Sequence, residues 1–268
     1  MNLLRSTILS ILMIAFLIGC ESSTSASSDS SSSVASSSSS VVKSSSSSAK
    51  SSSSNAISSS SSSSIVYSTI KDARDNQTYR IVTIGSQTWM AENLNFDYKV
   101  ASASIGNYFD SDHPEYGRYY TWAAAMDSVG VYSDDGKGCG NGKTCSPAAT
   151  VRGLCPEGFR MPNKSDFETL SAAVGGALIA GEALKSKTLW DENGNGTDAF
   201  GFSALPAGRY DIGFFGLAGV YTGFWSSDES DDVLEFAYYL FLHYSQKNLS
   251  LGPNNKYFGH SVRCIKSN

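Results

Sequence analysis

The sequence is poor in the groups that most enzymes use for chemistry. Three histidines occur in 268 residues. A Gly-x-Ser-x-Gly elbow, a His-Glu-x-x-His zinc helix, a Gly-x-x-x-x-Gly-Lys phosphate loop and a nicotinamide fingerprint are all missing. His260 lies beside Ser261, but neighbours on an extended strand point to opposite faces, so the pair is not arranged as a base with its nucleophile. These gaps argue against an enzyme. One enzymatic alternative survives them, a glycan hydrolase working through a carboxylate pair, because 25 acidic side chains offer many pairs. Basic charge is equally thin. With 20 Lys and Arg against 25 Asp and Glu, and no basic cluster to neutralise a run of phosphates, nucleic acid is not an expected partner. Cys-x-x-Cys pairs are absent, which leaves a zinc site without support. Beyond the first twenty residues no apolar run approaches membrane-span length.

What is present begins with an export signature. Arg5 supplies a positive start and Ile8 to Ile18 an apolar core too short to span a bilayer, so residues 1–19 read as a cleavable signal peptide. Leu17-Ile18-Gly19-Cys20 resembles the lipobox of bacterial lipoproteins. That resemblance implies cleavage before Cys20 and acylation of Cys20, with palmitate among the chains, and several chains anchor stably where one would be marginal. Glu21 stands where an inner-membrane retention aspartate often sits, so the outer membrane is the expected address. Residues 20–64 are then nearly all serine, with too little apolar surface to repay ordering. They are expected to form a disordered tether with a coil span of roughly 35–40 Å. Residues 65–268, about 200 residues, suit one domain with a sizeable core.

Four cysteines remain after Cys20, an even number that in an exported chain predicts two disulfides with three pairings open. The reading favours Cys139 with Cys145, because the intervening Gly-Asn-Gly-Lys-Thr can turn back within a few residues. It then pairs Cys155 with Cys264, tying mid-domain to the final strand.

Patterning predicts a hairpin from Thr78 to Ile84 and Gln87 to Leu94 around Gly85-Ser86, and a strand running into a short helix over Tyr119 to Met126. Val129 to Pro147 reads as an excursion loop. The best helix follows Pro162, with Asn163 as cap, Asp166 in the first turn, and Phe167, Leu170 and Val174 on one face. A second helix is expected over Leu178 to Leu184. Short strands follow at Phe200 to Leu205, Phe215 to Tyr221, Phe236 to Tyr244, Lys247 to Leu251 and Ser261 to Ile265, which makes the class α+β.

Several stretches together identify a family. Gln87-Thr88-Trp89-Met90-Ala91-Glu92-Asn93-Leu94-Asn95, Gly117-Arg118-Tyr119-Tyr120-Thr121-Trp122, Leu154-Cys155-Pro156-Glu157-Gly158-Phe159-Arg160-Met161-Pro162, Gly201-Phe202-Ser203-Ala204-Leu205-Pro206 and Ser261-Val262-Arg263-Cys264 resemble the Fibrobacter succinogenes major paralogous (FISUMP) domain. The resemblance covers essentially everything after the serine tract. A looser similarity, carried by Phe159-Arg160-Met161-Pro162 leading into a capped helix, an aromatic-Trp-Ser-Ser strand and a closing Val-Arg-Cys strand, is to the C-type-lectin-like fold. It implies a single α+β domain of short strands around two helices, and it implies no sugar binding, since fold and function separate readily.

Two constellations bear on ligands. Asp191, Asn193, Asn195 and Asp198 alternate with Gly196 at the sixth position, like the first half of an EF-hand loop. Phe202 stands where the bidentate glutamate belongs, so the choice is between calcium with help from elsewhere and a polar turn whose side chains bond their own backbone. Fourteen tyrosines and thirteen phenylalanines exceed ordinary need. Trp122, Trp190, Tyr210, Tyr221 and Trp225 are the candidates for stacking on sugar rings, with core packing as the alternative. The expectation is a lipid-anchored envelope protein that displays a binding module for polysaccharide or for other envelope proteins. A hydrolase and a purely structural surface protein are the alternatives.

Overall fold

A computed structural model describes residues 64–100, 102 and 104–267. The expected signal peptide, Cys20 and the serine tract lie outside the described residues. The described residues belong to one compact unit, mostly small antiparallel sheets with three short helices.

In chain order the strands are β1 (Tyr67–Lys71), β2 (Thr78–Ile84), β3 (Gln87–Met90), β4 (Asn107–Phe109) and β5 (Arg118–Tyr120). Helix α1 (Trp122–Ala125) and β6 (Phe159–Arg160) follow, then α2 (Lys164–Ala173) and α3 (Ala177–Leu184). The remainder is β7 (Arg209–Asp211), β8 (Phe214–Gly216), β9 (Tyr221–Glu229), β10 (Phe236–His243), β11 (Ser250–Asn255) and β12 (Ile265–Lys266). Sheet order β1-β2-β3-β12-β6 brings the last strand between β3 and β6. The second sheet is β11-β10-β9, and β4-β5 and β7-β8 are separate hairpins.

The predicted first hairpin is present: Ile84 pairs with Gln87 across Gly85-Ser86, and Gly85 holds φ +60°, a conformation that favours glycine. Helix α2 starts where predicted and is fastened more firmly than expected. Asn163 Oδ1 accepts from the Asp166 amide at 2.9 Å, and Asp166 Oδ2 accepts from the Asn163 amide at 2.8 Å, a complete capping box. Arg160 then grips both Asp166 carboxylate oxygens, at 2.6 and 2.9 Å. Phe167, Leu170 and Val174 are buried, as their spacing requires.

Both favoured disulfides are formed, Cys139–Cys145 and Cys155–Cys264. The second is wholly buried and crosses 109 residues of chain. It sits in one of two main cores, with Tyr120, Trp122 and Trp225, while Trp89, Phe167, Phe202 and Phe224 centre the other.

The strand predictions of the second half needed correction. Phe200 to Leu205 is not a strand, because Gly201 and Ser203 take positive φ and break the pleat. The carbonyls of Phe202 and Ser203 are satisfied instead by the buried Arg263 guanidinium, so no neighbouring strand is needed. Phe215 to Tyr221 divides into β8 and the start of β9, and β11 lies three residues later than the predicted Lys247 to Leu251. Ser261 to Ile265 contributes only Ile265 to a named strand, because its first residues serve as a junction. His260 pairs with Tyr120, Gly259 with Tyr210, and Ser261 with Phe224. Three consecutive residues thereby stitch β5, β7 and β9 together.

Candidate functional site

That junction builds an open surface recess. Gly259 N and Tyr210 N each donate to the other's carbonyl at 2.9 Å, which fixes β7 against the junction. A Cβ at Gly259 would stand 2.9 Å from Tyr210 Cβ and 3.3 Å from Tyr108 Cδ2, so the absence of a side chain there is what admits the two rings. Tyr108, from β4, and Tyr210, from β7, stack with centroids 3.5 Å apart and planes 13° apart. Phe215 meets Tyr210 edge-on at 5.2 Å and closes the back of the pair. Partial burial and the neighbouring Tyr210 hold the Tyr108 hydroxyl above the ordinary tyrosine range.

These rings form one wall of an open groove of about 590 Å³, lined by Tyr108, Asn141, Tyr210, Ile212, Gly213 and Tyr257. None of those side chains carries a charge. Tyr257 is 40 % exposed and Ile212, at the tip of the β7-β8 turn, 79 %. The nearest ionic group on that hairpin is closed on itself: Arg209 pairs with Asp211 at 3.2 Å and lies over the Phe258 ring at 4.1 Å. The chemistry on offer is therefore flat aromatic surface, phenolic hydroxyls and one carboxamide.

Of the five rings singled out from sequence, only Tyr210 reaches this groove. Trp122 and Trp225 are fully buried, with their indole N–H groups donating to the Ser226 and Tyr120 carbonyls at 2.8 Å each. Trp190 and Tyr221 are buried as well, the former donating to Ser186 Oγ and the Ala204 carbonyl. These four are core, the packing alternative, and so are corrected from candidates for stacking. Tyr108, Tyr257 and Asn141 were not singled out. The signal that would have found them is the apolar Ile212-Gly213-Phe214 in a turn, where nothing in the hairpin buries those side chains.

On β10, Leu240 and Leu242 are fully buried, while Tyr239, Phe241 and His243 on the opposite face are half-buried, so this is an aromatic stripe. Tyr239 stacks on Phe241 at 5.3 Å, and the stripe reaches Tyr257 through His260 and Phe258.

In the loop of Asp191, Asn193, Asn195 and Asp198, two side chains bond flanking chain. Asn195 Oδ1 accepts from the Trp190 amide at 3.1 Å, and Asp198 accepts from the Ser203 amide at 2.7 Å and the Ser203 hydroxyl at 2.6 Å. Beside Asn193 and Asn195 lie two positive groups, Lys247 and Lys185, and the Lys185 ammonium donates to the carbonyls of His243, Tyr244 and Gln246 at 2.9–3.2 Å. Burial holds Lys185 below its ordinary pKa. Among the described residues no three carboxylate, histidine or cysteine side chains converge as metal ligands would.

The family model described as Fibrobacter succinogenes major domain matches residues 82–266, which include every residue lining the groove. No curated protein and no solved structure matches the chain.

Proposed function

From the premise that the chain belongs to the Fibrobacter succinogenes major domain family, we propose that it is a binding module for uncharged polysaccharide, lipid-anchored through Cys20 at the bacterial outer membrane. In this reading the serine-rich segment is the tether that presents it, and the fold is a relative of the C-type-lectin-like class. The return of β12 into the sheet that begins with β1, and the long loop between α1 and β6, support the relationship.

The observation that carries the binding reading is the groove of Tyr108, Tyr210 and Tyr257. Pyranose rings present apolar C–H faces, and aromatic surfaces held rigid in advance bind them without a further ordering cost. An uncharged lining selects uncharged polymer, because a uronate carboxylate would lose its hydration there with no cation in the lining to replace it. Binding is favoured over cleavage because no carboxylate lines the groove, whereas glycoside hydrolysis needs two. No cofactor enters this reading.

Affinity electrophoresis of the detergent-solubilised full chain tests it, in gels containing soluble β-glucan, xylan, galactomannan, alginate or polygalacturonate. Retardation is expected in one or more of the first three and not in the last two. Tyr257→Ala and Tyr210→Ala should each weaken it about tenfold, the equivalent of ~1.4 kcal/mol. Equal mobility in all five gels would sink the proposal.

A further inference from the structure

Asn141 is the one groove-lining side chain whose amide can both donate and accept, and it comes from an unusual place. It sits in the middle of the ring closed by Cys139–Cys145. Cys139 is buried in the core and serves as the anchor of this ring. Gly140 is still buried, against Ala123, and Asn141, Gly142 and Lys143 are exposed. The backbone of this tip is held by a single long hydrogen bond, Lys143 N to the Gly140 carbonyl at 3.4 Å. Gly138 and Gly142 take φ of +81° and +64°, and a Cβ on either would meet nothing within 4 Å. Besides the disulfide, the ring is seated by buried Gly140 and by the Cys145 amide, which donates to Glu229 Oε2 at 3.4 Å, while the tip from Asn141 to Lys143 has no packing of its own. The Asn141 side chain is exposed.

An exposed carboxamide fixed at the rim of an aromatic groove is the complement of a sugar: rings take the apolar face, and the amide takes the hydroxyls at its edge. Resting on the binding reading above, we infer that Asn141 is the specificity-determining residue of the groove and that the Cys139–Cys145 bond positions it. The two disulfides then divide the labour: Cys155–Cys264 ties the fold together, and Cys139–Cys145 builds the site.

The test uses the full chain and soluble mixed-linkage β-glucan, with xylan and galactomannan alongside. Asn141→Ala should weaken binding about tenfold and flatten the preference among the three glycans. The double variant Cys139→Ala/Cys145→Ala should lose about as much while keeping one cooperative unfolding transition. Adding Asn141→Ala to that double variant should cost little more, because the amide is already unplaced. Mild reduction followed by alkylation of the half-buried Cys145 gives the same comparison without substitution, since both cysteines of the other bond are wholly buried. Wild-type binding with Asn141→Ala and the disulfide variant both unchanged would overturn this inference and leave the binding reading standing. Fully additive losses would overturn the positioning role. A wild-type chain that binds none of the three glycans would overturn both.

Discussion

Acid should weaken the fold through His260. The ring has no exposure, lies edge-on to Trp225 at 4.8 Å and faces Tyr239 at 5.0 Å. The Asn254 carboxamide is oriented by its own Oδ1, which accepts from the Asn255 amide at 2.8 Å, so its NH₂ points at His260 Nε2, 3.1 Å away. Nε2 is thus an acceptor and Nδ1 carries the proton. A second proton would land on Nε2 and set two donors against each other inside an apolar cage. Burial, reinforced by the positive charge of Arg209, pushes the His260 pKa from 6.5 down to about 3. Between those two values the unfolded chain holds a proton that the folded chain refuses. Stability from this group is therefore complete above the unfolded value and is lost as pH falls below it. At roughly 1.4 kcal/mol per pH unit, about 2 kcal/mol disappears by pH 5. Denaturant unfolding followed by tryptophan fluorescence, from about pH 8 to pH 5, reads this directly. The control is His260→Phe, which cannot titrate and costs about 1 kcal/mol at neutral pH for the lost Asn254 bond. Other acid-linked groups act equally in both proteins, so the difference in slope isolates His260. A slope in the variant as steep as in the wild type would refute the reasoning.

Removing the buried cross-link with Cys155→Ala/Cys264→Ala should cost about 4–5 kcal/mol, the chain-entropy value for a loop of this size, and an unshifted denaturation midpoint would count against it. At the start of α2 the two cap partners should differ. Asn163→Ala should cost about 1 kcal/mol, whereas Asp166→Ala should cost about 3 kcal/mol because it also strands the Arg160 guanidinium. Equal midpoints for these two variants would show that the Arg160 fork contributes nothing beyond the cap.

The parts of the fold that were legible in the sequence are those whose physics is local. The Gly85-Ser86 turn, the Asn163 cap and the glycine-rich ring between Cys139 and Cys145 each announce themselves within seven residues, and each is present. The illegible parts are those in which a distant side chain does the work of backbone. Phe200 to Leu205 has the residues of a strand, yet Arg263, some sixty positions away, takes the carbonyls a partner strand would have taken. Lys185 does the same for His243, Tyr244 and Gln246, and Lys256, fully buried over the Trp122 ring at 4.5 Å, for Leu234. Long cations are ordinarily surface residues, so no local pattern predicts that three of them hold loops together from inside.

The groove was hidden for a related reason. Counting aromatics measures how much flat apolar surface the chain owns, but which rings face outward is set by the junction at Gly259, His260 and Ser261. Those residues draw β5, β7 and β9 together. Trp122 and Trp225 flank that junction on the inside and are consumed as core, their N–H groups spent on carbonyls of neighbouring segments. Tyr108 and Tyr210 meet on its outside because Gly259 leaves room for them and because β4 and β7 are hairpin strands with no second sheet to cover them. At this junction the large indoles therefore went to the interior, where burying their area stabilises the fold most, and Tyr108 and Tyr210, each with a hydroxyl to keep wet, line the surface. In a domain of this kind a glycine between aromatic residues in the closing segment, as in Tyr257-Phe258-Gly259-His260, is a better pointer to the exposed rings than tryptophan content.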